Sequence, residues 1–233
     1  MSESTSPAVE AVALSAAALR ETRVGRGEPE LAAIARLARP QLYRSIQMDE
    51  QKLAFWINVY NAGIQRELRQ NPRAYRFRWW FFACSGVTVA GRHLSFNAIE
   101  HGLLRRSMFA YSLGYLANPL PGNFERHFRL AKRDPRVHFA LNCGAASCPP
   151  IATYDDARID AQLDLAASAY LRAECRYDPA SNRVEVPRLL LWFRGDFGGP
   201  EGILHMLKRS NIIPAGASPG LRYRTYDWSL KLD

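Results

Sequence analysis

The sequence predicts an α+β protein in which a small, mainly antiparallel sheet is flanked by helices. Three observations carry that expectation. From Asp49 to about Arg69, Leu53, Trp56, Ile57, Tyr60, Ile64 and Leu68 recur at three- and four-residue spacing, the apolar stripe of an amphipathic helix. Short runs at 77–82, 87–90, 136–141, 174–177 and 183–186 have the length and the apolar or alternating pattern of strands. Upstream, the alanine-rich piece Val9–Arg20 and the piece Glu30–Ala38, ended by Pro40, add two helices. This divides the chain into an N-terminal helical extension, 1–48, packed on one α+β domain, 49–233.

The totals restrict the function classes. At 233 residues, 48% hydrophobic and 23% charged, the chain has the composition of an ordinary globular protein with a sizeable core. Its net charge of +9 comes almost wholly from arginine, lysine standing only at 52, 132, 208 and 231. Those arginines are scattered rather than blocked, which reads as solvated faces and predicts no specific nucleic-acid partner. No stretch reaches the roughly 18–20 apolar residues of a membrane span, and the run Trp79–Cys84 is short. The first residues carry Glu3 and Glu10 and lack a basic n-region, so the chain reads as cytoplasmic with reduced thiols, exported only if a signal was trimmed. Four cysteines do not make a disulfide scaffold at this length.

In chain order, residues 1–8 are polar and expected to be disordered, and Gly25 and Gly27 mark a turn. On the helix opened by Asp49, Asn58, Asn61 and Gln65 lie along one flank of the apolar stripe. Buried amides need partners, so they are expected to hold a neighbouring loop or carboxylate; the alternative is surface polarity. Phe77–Phe82 is expected as a strand, Ser85–Gly86 as a turn and Val87–Ala90 as a second strand. Ser95 or Asn97 then starts a helix through Arg105. On it Glu100 and His101 project about 100° apart, which predicts that one faces a site and the other solvent. Residues 106–135 are loop-rich, 123–127 form a short helix or lid, and His127 is expected to be exposed. Asp155 or Asp156 caps a helix to Arg172 with the stripe Ile159, Leu163, Ala166 and Tyr170. A hairpin turns at Asp178–Asn182. The Asp196–Phe197–Gly198 triplet has no accompanying phosphate loop or kinase catalytic motif and is read as accidental. Pro200 opens a helix to Arg209, and the aromatic tail 224–230 is expected to pack back on the protein.

The candidate site is Leu141–Pro150, LNCGAASCPP, which follows the alternating run 136–141 and its histidine, His138. A nucleophilic cysteine needs a base or dipole to lower its pKa and a group to orient that base. His138 with Cys143 or Cys148 forms the first pair, and Glu100, Asn58 or Asn61 is available to orient the ring. By parity with Val137, Phe139 and Leu141, Cys143 points into the core, which favours Cys148, at the turn before Pro149, as nucleophile. Backbone N–H groups from Gly144 to Ser147 are expected to be free for an oxyanion. Asn58, Asn61, His101, Asn142 and Ser147 are the candidate substrate contacts. Three other readings stay open: zinc held with His101, His127 or His138, a Cys143–Cys148 disulfide, and small structural cysteines in a non-catalytic binding or scaffold protein. No cofactor and no resident metal are expected; the partner is a small peptide-like or thiol-containing substrate, and the oligomeric state is not legible.

Five stretches together resemble one family, catalogued as domain of unknown function number 547. They are KLAFWINVYNA from Lys52, LSFNAIEHGLLR from Leu94, DPRVHFALNCGAASCPP from Asp134, WFRGDFG from Trp192 and YDWSL from Tyr226. The resemblance implies a shared Glu–His–Cys set, which falls here on Glu100, His138 and either Cys143 or Cys148. It also implies an outline similar to papain-like or transglutaminase-like thiol hydrolases. The expected activity is a cysteine-dependent hydrolase or acyl/thiol transferase acting on a peptide- or glutathione-like substrate.

Overall fold

The computed structural model describes residues 10–232; the expectation for residues 1–8 and the start of the first helix at Val9 lie outside them. The N-terminal part holds α1 (Ala11–Arg23), α2 (Glu28–Arg36), α3 (Arg39–Ser45), α4 (Asp49–Gln70) and α5 (Arg78–Cys84). After β1 (Gly86–Val89) and β2 (Arg92–Ser95) come a π-helix at Ala98–Leu104, α6 (Asn123–Phe128) and a 3₁₀-helix at Pro135–Phe139. The C-terminal part holds α7 (Ile159–Glu174), β3 (Arg176–Asp178), β4 (Arg183–Val186), α8 (Leu189–Trp192), α9 (Gly199–Arg209) and β5 (Gly220–Tyr223). The class is α+β. The expected single small sheet is instead two: an antiparallel β1–β2 pair, and a three-stranded sheet in which β4 pairs antiparallel with β3 and parallel with β5.

Helix α4 is the centre. Its stripe widens to nearly the whole circumference, with Ala54, Phe55, Trp56, Ile57, Val59, Ala62 and Ile64 all fully buried, as expected of a helix covered on every side. The alanine face of α1 lies against it, β1 crosses it at Gly63, where an added Cβ would collide with Val87, and the π-helix and α7 cover the rest. A second apolar cluster joins α7, β4, α8 and α9 through Tyr170, Leu171, Val184, Leu190, Ile203 and Leu207. The 3₁₀-helix bridges the two: Val137 packs in the α4 core and Phe139 in the second cluster.

Asn58 and Asn61 show how α4 controls what is built around it. The Asn58 side chain donates to Tyr154 O at 2.8 Å and accepts from Tyr154 N at 3.0 Å. Asn61 donates to Ala140 O at 2.9 Å and accepts from Asn142 N at 2.9 Å, clamping the chain on the approach to Cys143. Truncating Asn61 strands two buried backbone groups at about 1–3 kcal/mol each. An Asn61→Ala variant is expected to lose about 2–4 kcal/mol in urea unfolding; wild-type stability would mean that the clamp is not needed.

Several expected elements differ. Pro40, expected to end a helix, lies in the first turn of α3. The aromatic run Phe77–Phe82, expected as a strand, belongs to a 3₁₀ turn and α5; Phe81 is buried while Phe77, Trp79 and Trp80 are exposed. A short apolar run carries no period of its own, and Asn71–Pro72 opens a helical turn instead. The strand expected at 136–141, and with it His138 on a strand, is the 3₁₀-helix. There the Asp134 carboxylate accepts from Arg136 N at 2.9 Å and Pro135 presets the first helical φ.

Candidate functional site

Three segments converge on one cavity of about 600 Å³. The cysteine loop is the first. Asn142 folds it by accepting from Gly144 N at 2.8 Å and donating to Pro149 O at 2.8 Å. Gly144 takes a φ of +88°, the left-handed conformation glycine adopts without cost. Because 135–139 is a 3₁₀-helix and not a strand, no alternation reaches Cys143: it packs against the core on one side and lines the cavity beside Cys148 on the other, Sγ to Sγ at 3.0 Å.

The tail is the second segment. Ala146 N donates to Ser229 O at 2.8 Å, Ser147 N to Asp227 O at 3.2 Å and Lys231 N to Gly144 O at 2.8 Å. The Ser147 hydroxyl accepts from Asp227 N at 2.9 Å. This zipper sets the Tyr226 hydroxyl 3.2 Å from Cys148 Sγ and 3.7 Å from Cys143 Sγ, with its ring in a three-ring cluster with Trp192 and Trp228. It also corrects the expectation of free N–H groups from Gly144 to Ser147. Those of Gly144, Ala146 and Ser147 are taken by Asn142 and the tail, and that of Ala145 serves the sulfurs.

The two thiols are therefore unequal. Burial pushes the Cys148 thiol up. Hydrogen bonds from the Cys143 thiol, the Tyr226 hydroxyl and the backbone N–H groups of Cys143 and Ala145 outweigh it and bring Cys148 down to about 7. The hydrogen bond it makes to Cys148, together with burial, holds the Cys143 thiol well above the usual cysteine range. Of the two, Cys148 is the more acidic thiol.

The third segment is the 3₁₀-helix with the loop after α8. His138 Nε2 lies 2.9 Å from Asp196 Oδ2, and the ring stacks on Phe193 with centroids 3.9 Å apart. An ionised carboxylate only accepts, so Nε2 carries the hydrogen and Nδ1 is the basic nitrogen. Asp196 Oδ2 also accepts from Arg105 Nε at 2.6 Å, and Oδ1 from Arg133 Nη1 at 2.9 Å. Burial works to raise the Asp196 carboxyl, but the bonds from His138 and Arg105 bring it down to about 2. His138 is lowered by burial despite Asp196, so its resting form is the neutral imidazole.

The π-helix completes the wall. Arg105 N bonds to Glu100 O and Ser107 N to Gly102 O, the five-residue spacing of a π turn. The wider turn reduces the angle between successive side chains, so Glu100 and His101 both line the cavity, which corrects the expectation that one faces solvent. Glu100 accepts from Tyr60 OH at 3.3 Å, and His101 Nδ1 accepts from Arg105 Nη1 at 2.8 Å. Burial lowers His101.

Of the residues singled out from the sequence, Glu100, His101, His138, Cys143 and Cys148 share the cavity. Glu100 is not the group that holds His138; Asp196 is. Among the described residues neither sulfur hydrogen-bonds to His138. Asn58, Asn61 and Asn142 lie behind the cavity wall with their amides bound to backbone, and Ser147 locks the loop to the tail. His127 is exposed and its Nδ1 lies 2.6 Å from Asn123 O. No group of three or more His, Cys, Asp and Glu side chains is arranged to hold a metal among the described residues, and no helix among them is long and apolar enough to cross a membrane. Asp196, Arg105, Tyr60 and Tyr226 escaped the sequence reading. A signal did exist for Asp196 and Tyr226, which stand in the WFRGDFG and YDWSL stretches.

An α+β fold with a paired-cysteine cavity thus defines the class of protein. A family model described as "Protein of unknown function, DUF547" matches residues 43–171, and the chain belongs to that family. The matched segment contains the Glu100, His138 and cysteine positions; Asp196 and Tyr226 lie beyond it. No curated protein and no solved structure matches the chain, so the expected likeness to papain-like or transglutaminase-like hydrolases has no structural neighbour behind it.

Proposed function

We propose that this protein is a cysteine-dependent hydrolase or acyl/thiol transferase acting on a small peptide- or glutathione-like substrate. One observation carries the reading: the Cys148 sulfur accepts from Cys143 N at 3.1 Å and lies within hydrogen-bond reach of Cys143 Sγ at 3.0 Å and Tyr226 OH at 3.2 Å, on the wall of a substrate-sized cavity. Such a sulfur is a thiolate near neutral pH. It attacks the substrate carbonyl carbon, the amine or thiol leaves with a proton taken from water, and the resulting thioester passes its acyl group to a water or an acceptor thiol whose proton goes to His138 Nδ1, freeing the Cys148 thiolate. His138, turned by Asp196 so that Nδ1 is its basic nitrogen, faces the same cavity and manages protons there. Arg76 and Arg78 on the cavity wall supply positive charge for a substrate carboxylate, Arg78 being seated over the Trp228 ring at 4.8 Å.

The test is acylation of the reduced protein with a small p-nitrophenyl ester, read by intact mass and peptide mapping. An acyl group is expected on Cys148 and not on Cys84, which is exposed elsewhere. Cys148→Ser is expected to abolish the adduct. Acylation of Cys84 in preference to Cys148 would end this reading.

A further inference from the structure

Cys143 is more than a hydrogen-bond donor to the nucleophile. The two sulfurs stand 3.0 Å apart with no group between them, against about 2.05 Å in a disulfide. Bonding them therefore asks the two sulfurs to approach by about one ångström. Gly144, in its left-handed conformation, folds Cys143 back toward Cys148; a side chain there would run into Leu68 at 2.5 Å. Both sulfurs line the cavity, so a small molecule that reaches one reaches the other, and the Tyr226 hydroxyl touches both.

We infer that Cys143 and Cys148 form a dithiol–disulfide couple that exchanges with low-molecular-weight disulfides, Cys148 attacking and Cys143 resolving. The Cys148 thiolate attacks one sulfur of the small disulfide; its S–S bond breaks, one thiolate leaves, and a mixed disulfide forms on Cys148. Cys143 then attacks the Cys148 sulfur, its proton passing to the departing second thiolate as the mixed disulfide breaks. Starting from the Cys148 thiolate, the protein loses two electrons and one proton, and the small disulfide gains them as one thiol and one thiolate, the thiolate taking its proton from water. The division of labour follows the asymmetry of the pair, since the thiolate is the attacking form and Cys143 keeps its proton until the sulfur beside it becomes electrophilic. The bond consumes the nucleophile, so the oxidised protein carries out no acyl transfer until a thiol reduces it.

The inference shares with the proposed function only the reactivity of Cys148. Oxidised glutathione, added to the reduced full-length protein, separates the two. Wild type is expected to lose two hydrogen masses, retain no glutathione and yield a Cys143–Cys148 crosslinked peptide. Cys143→Ser is expected to stop with glutathione held on Cys148, and Cys148→Ser to form no crosslink. Wild type that retains glutathione on Cys148 as Cys143→Ser does would overturn the couple and leave acyl chemistry standing. A crosslink in protein that takes no acyl group at Cys148 would do the reverse. If Cys148 reacts with neither reagent, both readings fall.

Discussion

An Asp196→Ala variant is expected to lose about 3–5 kcal/mol of stability, because it leaves buried positive charge without its partner. The carboxylate is 3% exposed and receives Arg105, Arg133 and His138, while the Arg105 side chain is 1% exposed. Arg105 also stacks over Phe193 at 4.6 Å, so a displaced guanidinium disturbs the ring on which His138 rests. Urea unfolding near pH 7 measures the loss. The pH dependence gives a second check. Asp196 sits at about 2 in the fold, below the roughly 3.9 of an unfolded aspartate. A depressed carboxyl contributes stability that is full above the unfolded value and fades as pH falls through the folded one. The gap between wild type and Asp196→Ala should therefore narrow between about pH 4 and pH 2. A variant as stable as wild type at neutral pH would show that the charge cluster does not hold the site together.

Cys148 is expected to be alkylated at neutral and mildly acidic pH, with a rate profile centred near 7. At pH 6 that midpoint corresponds to about thirty times more thiolate than an ordinary cysteine with a pKa of about 8.5 has. A less basic thiolate is also a weaker nucleophile, which trims the advantage to about six-fold. Cys84, exposed and outside the cavity, serves as the internal reference in iodoacetamide labelling followed by peptide mapping. Tyr226→Phe removes one of the donors that stabilise the thiolate, so it should move the Cys148 profile to higher pH. Overlapping profiles for Cys148 and Cys84, or an unmoved profile in Tyr226→Phe, would remove the thiolate from the account of this site.

The helices were the most legible part of the chain, because a long helix writes its period into many residues. α4 followed from its apolar stripe, α7 from Ile159, Leu163 and Tyr170, and α9 from Pro200 and the residues after it. The β3–β4 hairpin was legible from a turn between two alternating runs. The short elements were not. The run 136–141 alternates as a strand would, yet Asp134–Pro135 starts a 3₁₀ turn there, a local hydrogen bond outweighing a weak period. β5 pairs parallel with β4 from far along the chain, and nothing in Gly220–Tyr223 alone announces that partner.

For the site, the amino-acid sequence by itself singled out nine residues: Glu100, His101, His138, Cys143 and Cys148 line one cavity, while Asn58, Asn61, Asn142 and Ser147 do not. Only the tertiary structure decided who holds whom. Asp196, whose triplet was read as accidental, accepts from His138, and Tyr226, read as part of the aromatic tail and the YDWSL stretch, sets its hydroxyl against both sulfurs. His138 is separated from Asp196 by 58 positions and Cys148 from Tyr226 by 78, so no local spacing encodes either contact. The physical reason is that hydrogen-bond partners are chosen by distance in space. A sequence supplies the donors and acceptors, but the packing of α4, the π-helix and the tail brings particular ones within reach. The inequality of the two cysteines arises in the same way, since it depends on which sulfur the backbone N–H groups and the Tyr226 hydroxyl face.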